Sequence, residues 1–171
     1  MSRYHLIKKN SISDGIGVRV SIYLSGCKWH CKNCQNPMTW DENSGQEFTE
    51  ETMNELYNNT NHSWINGITL TGGDPLHDAN LDTVEKIINM VNNKLPNKDI
   101  WLYTGYEYDK LKKDNDIRRL NIINNIDVLV DGQYIEELKD ISYPYAGSTN
   151  QKIIVTKTGK EFNMKDYCLR K

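Results

Sequence analysis

Three cysteines within eight residues constrain this chain more than any other feature of its sequence. Cys27, Cys31 and Cys34 have the spacing C-x3-C-x2-C and directly follow Ser25-Gly26. A single loop therefore presents three thiolates together. Because a [4Fe-4S] cube is normally held by four thiolates, a loop that offers three leaves one iron open to a ligand from outside the protein.

The cysteine usage favours metal binding over disulfides. Three of the four cysteines are clustered, and Cys168 lies almost at the C-terminus, which is a poor arrangement for two structural bridges. In a chain without an export signal, clustered thiols are more often metal ligands or redox groups. We expect Cys168 to be a free thiol in the tail, since a ligand role would close the open iron.

Length and charge exclude several classes of function. A chain of 171 residues with 37% hydrophobic content is long enough for one sizeable core, which predicts a single domain over residues 1–171. The formal net charge of −2 provides no large field for nucleic acid or a membrane surface. No stretch approaches the roughly 18 apolar residues of a membrane span, and no apolar signal segment follows the N-terminus. We expect a soluble, cytoplasmic protein.

Apolar runs typical of strands alternate along the chain with segments at helical spacing. Residues Val18 to Leu24 alternate with period two and predict a strand that ends directly before the cysteine loop. Such alternation predicts βαβ units and a mainly parallel sheet that binds ligands at the carboxyl ends of its strands. The other predicted strands are 67–71, 100–104, 126–130 and 152–156; the predicted helices are 50–58 after Thr49, 81–91 after Asp78 or Asn80, and a helix-compatible segment 108–124.

Two interpretations of the motifs remain open from the residues alone. The cysteines could hold a structural zinc together with His30 or His77, because zinc accepts Cys3His ligand sets. Gly72-Gly73-Asp74-Pro75 could be an ordinary turn after the strand 67–71, although it could also bring a glycine backbone close to a ligand.

The two motifs together carry a resemblance to a known family. A C-x3-C-x2-C loop after a first strand, followed by Thr71 to Leu76 after a later one, resembles the radical S-adenosylmethionine superfamily. Within it, the chain is most similar to the family of activating proteins of anaerobic ribonucleoside-triphosphate reductases. The segments that carry the likeness are 14–19, 27–40, 72–77, 99–106, 127–132 and 147–151.

The resemblance implies a fold, a chemistry and a set of site residues. The fold would be an incomplete (β/α) barrel of the radical S-adenosylmethionine type. The open iron of a [4Fe-4S] cluster would bind the amino and carboxylate groups of S-adenosylmethionine, and reductive cleavage would give a 5'-deoxyadenosyl radical. The cluster ligands would be Cys27, Cys31 and Cys34; the residues expected to bind S-adenosylmethionine are Asn33, Cys34, Gln35, Gly72, Gly73, Asp74 and Asp131.

Several residues have both a functional and an ordinary interpretation. Asp131 could accept hydrogen bonds from the ribose or be an exposed turn residue, and the segment Tyr103 to Tyr106 has the same ambiguity. Trp29 and Trp40 could shield the cluster or belong to the core. The chain has Asn33 where the superfamily has an aromatic residue, and Ala146 where the family segment begins with Arg.

The resemblance also implies partners. The radical would remove a hydrogen from one glycine of the large subunit of an anaerobic ribonucleoside-triphosphate reductase, and reduced flavodoxin or ferredoxin would supply the electron. A second hypothesis keeps this chemistry but acts on another glycyl-radical enzyme or on a small molecule. A third makes the chain a non-catalytic zinc-binding interaction module.

Overall fold

The computed structural model describes residues 2–162, so Cys168 lies outside the described residues. The elements of this part alternate between strands and helices. In chain order they are β1 (Arg3–Ser11), β2 (Arg19–Leu24), β3 (Gln46–Glu47), α1 (Glu50–Thr60), β4 (Gly67–Gly72), α2 (Leu81–Lys94), β5 (Asp99–Tyr103), α3 (Tyr108–Lys113), α4 (Ile117–Asn124), β6 (Val128–Asp131), β7 (Lys152–Val155) and β8 (Lys160–Glu161).

Within residues 2–162 the strands form one open sheet in the order β3-β1-β2-β4-β5-β6-β7-β8. The central strands β2, β4, β5 and β6 are parallel, and antiparallel strands flank them on both sides. The prediction of an α/β chain with a single, largely parallel sheet is confirmed, and the arrangement is consistent with an incomplete barrel.

Helices cover one face of this sheet. The residues of β2 are all buried, as expected of a strand enclosed on both faces. Alternate positions such as Ile22, Leu70 and Leu102 pack with α1, α2 and α4 in the main core. The opposite positions, among them Trp101 and Val130, pack with Tyr145 and Ala146 of the segment 133–151, so this segment covers part of the other face. Ile16 and Phe162 also pack there.

The helix starts follow from local chemistry. The side chain of Thr49 accepts from the backbone N–H of Thr52, which caps α1 as predicted. Asn80 is the residue before α2, but its side chain does not cap the helix. Its amide instead donates to the backbone oxygens of Ser25 at 2.8 Å and Asp74 at 3.0 Å. Asn80 therefore joins two loops at the carboxyl edge of the sheet.

The structure differs from the sequence prediction mainly at the edges of the sheet. Strands β1, β3 and β8 are not predicted, because β1 is mostly polar and the other two have only two residues each. The helix-compatible segment 108–124 is divided into α3 and α4, with Asn115 between them at a positive φ of 54°. Among the described residues, no helix is long and apolar enough to cross a membrane.

A buried cation fills the sheet interior at the amino ends of the parallel strands. The Arg19 side chain is fully buried and pairs with Asp99 at 2.6 Å. It also donates to Thr69 Oγ1 at 2.8 Å and to the backbone oxygens of Ile16 and Ile68. The β1–β2 turn and the starts of three strands thus converge on one guanidinium.

Replacement of Arg19 should be far more costly than replacement of an exposed arginine. Arg19→Met removes the buried guanidinium that faces the Asp99 carboxylate, and we expect the free energy of unfolding to fall by about 3–5 kcal/mol in urea denaturation of the metal-free protein. Arg118 is the matched control, because it pairs with Asp82 and Glu85 on the surface. Arg118→Met should cost about 0–1 kcal/mol. Equal losses for the two variants would contradict this assignment.

Candidate metal and cofactor site

The carboxyl ends of the four parallel strands bring the candidate motifs to one edge of the sheet. Strand β2 leads into the cysteine loop, β4 into Gly72-Gly73-Asp74, β5 into Thr104-Gly105 and β6 into Gly132-Gln133. The register places Leu24 opposite Gly72. Motifs that are far apart in sequence are therefore neighbours.

The cysteine loop is shaped by its backbone. His30 and Asn33 have positive φ angles of 46° and 56°, a left-handed conformation that Asn adopts more readily than most residues. The N–H of Cys27 donates to Trp40 O at 3.0 Å, and that of Cys34 donates to Cys31 O at 3.1 Å. The left-handed requirement gives a physical reason for an Asn in place of an aromatic residue at position 33.

All three thiols line one cavity of about 150 Å³. Gly72 and Gly73 line the same cavity from the end of β4. This arrangement brings together five of the residues that the sequence singled out. The cysteines are only partly exposed and form no disulfide with one another. The other lining residues are Trp29, Trp40, Thr71, Tyr103, Thr104, Gly105, Gly132, Gln133, Tyr134 and Gln151.

The two glycines are required by the packing of the chain itself. A Cβ on Gly73 would lie 2.6 Å from the backbone oxygen of Gly26 and 2.8 Å from that of Thr39. Gly72 has a φ of +100°, and a Cβ there would lie 2.6 Å from the backbone of Tyr23. The turn after β4 can therefore press directly against the chain that leads into Cys27.

Asp74 lies behind the cavity rather than in its wall. The residue as a whole is 1% exposed. It accepts hydrogen bonds from Trp29 Nε1 at 2.6 Å and from Thr104 Oγ1 at 2.8 Å. The backbone N–H groups of Leu76 and Gly105 also donate to it, at 2.9 Å and 3.1 Å. Burial raises the pKa of Asp74, although these four donors favour its charged form.

Burial also has the largest effect on the pKa of Cys27. It raises the pKa of the Cys27 thiol to about 11, assisted by the charges of Asp74 and Cys31. Without a metal this thiol carries its proton at neutral pH. A bound metal centre must therefore displace a proton from Cys27, which is the usual coupling between thiolate ligation and proton release.

A second, larger cavity of about 460 Å³ adjoins the first. The two share Cys34, Thr71, Tyr103, Tyr134 and Gln151 in their walls. Gln151 fixes the common wall: its Nε2 donates to Gly132 O at 2.9 Å, and its Oε1 accepts from Gly147 N at 2.8 Å. The segment Gly147 to Gln151 is thus tied to the end of β6.

A chain of polar groups forms one side of this second cavity. Lys8 Nζ donates to Tyr23 Oη at 2.8 Å, and Tyr23 Oη donates to Asp14 Oδ2 at 2.9 Å. Ser11 and Ser13 also donate to Asp14. Burial opposes the charge of Asp14, but the hydrogen bonds outweigh it and lower the pKa of its carboxyl. Ala146 faces the same cavity.

Three other residues predicted to bind the cofactor, Asn33, Gln35 and Asp131, do not line the thiol cavity. Gln35 lines only the second cavity. Asn33 is exposed and lines neither the thiol cavity nor the second one. Asp131 lines a third cavity and accepts from the backbone N–H groups of Tyr108 and Lys152. Burial raises the pKa of Asp131.

The donor set fits a cluster better than a single zinc ion. Within residues 2–162, no three His, Cys, Asp or Glu side chains are grouped so that they could hold one metal ion. His30 stacks on Trp40, and His77 faces Glu42 at 3.6 Å. A cube binds its thiolates at separate irons, so the three cysteines need not converge on a point. Three thiols in one cavity therefore suit a cube with an open iron.

Sequence reasoning missed several residues that hold the site together. Thr104 and Asn80 contact Asp74, and Gly105 leaves room for the indole of Trp29, from which a Cβ would be only 2.4 Å away. The segment Tyr103 to Tyr106 stood out in the sequence, but its hydrogen bonds to Asp74 were not inferable. Nothing in the sequence around Asn80 signals its role.

Comparison with protein families agrees with this arrangement. The chain matches the family described as 4Fe-4S single cluster domain over residues 13–154. The match includes the cysteine loop and all four parallel strands.

Individual relatives are similar over most of the chain. The anaerobic ribonucleoside-triphosphate reductase-activating protein of Escherichia coli (strain K12) is 38% identical over 152 residues, which cover 88% of this chain and 96% of the relative. The protein of the same name from Enterobacteria phage T4 is 38% identical over 140 residues, covering 82% and 85%. That from Vibrio cholerae is 38% identical over 152 residues, covering 88% and 96%.

A methyl group at Gly73 should disturb the metal site. In Gly73→Ala the backbones of Gly26 and Thr39 must move away, and we expect a loss of about 1–3 kcal/mol in stability together with clearly lower iron and sulfide content after anaerobic reconstitution. Gly159 is the control: its φ is +64°, but a Cβ added there would meet nothing within 4 Å. Gly159→Ala should keep full iron content. Unchanged iron in Gly73→Ala would contradict the close packing.

Proposed function

We propose that this chain, which belongs to the family of anaerobic ribonucleoside-triphosphate reductase-activating proteins, is an activase. It would generate a glycyl radical on such a reductase. The proposal includes a [4Fe-4S] cluster and S-adenosylmethionine as cofactors. The observation that carries it is the single cavity lined by Cys27, Cys31, Cys34, Gly72 and Gly73. The proposal treats residues 1–171 as one domain, which is supported by the one sheet that spans residues 3–161. It also places the protein in the cytoplasm.

The cysteine loop would hold the cluster and leave one iron accessible. When bound, the cluster and S-adenosylmethionine supply reductive cleavage that yields a deoxyadenosyl radical able to take a hydrogen atom from a glycine. The chain itself contributes position. Gly72 and Gly73 bring backbone groups to the wall of the thiol cavity, where they can meet the methionine part of the cofactor.

The other residues predicted to bind S-adenosylmethionine have less support from the cavity walls than Gly72 and Gly73. Asn33, Gln35 and Asp131 stay predictions, because none of them lines the cavity of the thiols. Cys34 is better placed, since it lines both this cavity and the larger one beside it. A molecule held at the cluster would therefore extend past Cys34 toward the second cavity.

The second cavity is the proposed place for the glycine-bearing segment of the reductase. Gln35, one of its lining residues, is exposed to solvent, and the cavity shares five lining residues with the thiol cavity. Tyr103 and Tyr134 stand at the junction. A docked protein segment would exclude water from the space in which the radical forms. Reduced flavodoxin or ferredoxin is the proposed electron donor.

Loss of any one cluster ligand should abolish the activity. In Cys27→Ala, Cys31→Ala and Cys34→Ala, we expect a stable [4Fe-4S] cluster to be absent and deoxyadenosine release to be at background. The wild-type protein, mixed anaerobically with reductant, S-adenosylmethionine and the large reductase subunit, should give a glycyl doublet in electron paramagnetic resonance. Zinc without sulfide in the purified protein, or no doublet with intact cluster, would refute the proposed function.

A bulky side chain in the second cavity should uncouple the cleavage of S-adenosylmethionine from the formation of the glycyl radical. In Ala146→Phe the phenyl ring occupies the space proposed for the partner segment, so the ratio of glycyl radical formed to deoxyadenosine released should fall by about tenfold or more. Ile141 lies in the same segment but is 95% exposed. Ile141→Phe should leave the ratio unchanged. An unaltered ratio in Ala146→Phe would place the partner elsewhere.

A further inference from the structure

The carboxylate of Asp74 is the point at which three segments of the site meet. Trp29 belongs to the cysteine loop, Thr104 and Gly105 follow β5, and Leu76 belongs to the turn after β4. Hydrogen bonds to a charged acceptor are the stronger ones, and their removal from a buried group is costly. A single side chain therefore fixes the relative positions of these segments.

The geometry separates Asp74 from the space that a cofactor would occupy. Trp29, Thr104 and Gly105 all line the thiol cavity, whereas Asp74 does not. Both of its oxygens already accept hydrogen bonds from these groups. With 1% exposure, the carboxylate has no free surface for a further ligand. A direct contact with an ammonium group would first require this network to break.

Trp29 is held in place from other directions as well. Its ring meets Tyr106 edge to face at 5.1 Å, and Gln133 Nε2 donates to its backbone oxygen at 3.3 Å. The ring packs against the Cα of Gly105, where any side chain would collide with it. Because Trp29 lies between Cys27 and Cys31, its indole is a rigid connection from the thiols to the ends of β5 and β6.

We propose that Asp74 is a positioning residue, which acts through the indole of Trp29 to hold the cysteine loop in register with Gly72-Gly73, and that it does not itself bind S-adenosylmethionine. The inference rests on the proposed function for the identity of the cofactor. It deepens that function by assigning the carboxylate to the placement of the cluster relative to the strand ends.

Two substitutions disturb the Trp29–Asp74 hydrogen bond from opposite sides. Asp74→Asn removes the negative charge and replaces one of the two acceptor oxygens by an amide donor, in a site whose other groups are donors. Trp29→Phe removes the indole N–H together with the five-membered ring that carries it, and leaves the carboxylate in place. We expect each variant to weaken the binding of S-adenosylmethionine to the reconstituted protein by about tenfold, because a charge-assisted hydrogen bond is lost. The double variant should bind no more weakly than the weaker single variant.

Direct binding predicts a different result. If the carboxylate held the cofactor, Asp74→Asn would weaken binding while Trp29→Phe would bind like the wild type, and the positioning role would be overturned. The matched control is Trp64→Phe, since Trp64 is exposed and lines neither the thiol cavity nor its larger neighbour. Trp64→Phe should keep wild-type affinity. Affinity is measured through the change in the electron paramagnetic resonance spectrum of the reduced cluster as S-adenosylmethionine is added.

The metal-free protein gives a second readout that involves neither cofactor nor reductase. In ¹⁵N spectra of the tryptophan indoles, the Trp29 N–H should be protected from exchange with solvent, and Asp74→Asn should lower this protection because the acceptor loses its charge. The Trp64 N–H should exchange quickly in both proteins. An unprotected Trp29 N–H in the wild type would overturn the inference. Absence of a glycyl radical, with the other results as expected, would overturn only the proposed function.

Discussion

The register between β2 and β4 is the constraint on which the site depends. Because the two strands are parallel and Leu24 lies opposite Gly72, the chain leaves both strands at the same height. The backbone then approaches so closely that Asp74 N donates to Gly26 O at 2.8 Å, and no Cβ could be accommodated at Gly73. A slip of one residue would turn the side chains of β4 to the opposite face and separate the glycines from the cysteines.

The parts of the site that follow from sequence are those that depend on strand ends. Periodicity predicted the central strands, and parallel strands share a carboxyl edge, so the meeting of the cysteines with Gly72 and Gly73 could be anticipated. The cysteine spacing was specific because C-x3-C-x2-C matches neither the ferredoxin runs nor the paired cysteines of structural zinc sites. Edge strands such as β3, with two residues, carry no pattern to detect.

The direction of individual side chains could not be predicted. Asp74 follows two glycines that line the cavity, yet it points behind them because Trp29, Thr104 and Gly105 offer donors there. The amide of Asn80 likewise serves two distant backbone oxygens instead of its own helix. Such choices are decided by long-range partners, and a single sequence contains no local signal for them.

The segment 133–151 covers part of the sheet face opposite the helices without contributing a strand to it. Its sequence can therefore change while the pairing of the four central strands is preserved. The two ends of the segment are nevertheless tied to the site, since Gln133, Tyr134 and Gln151 line the thiol cavity. The middle of the segment is the tolerant part: at Ile141, which is 95% exposed, substitution leaves the packing of the sheet and the cavity wall untouched.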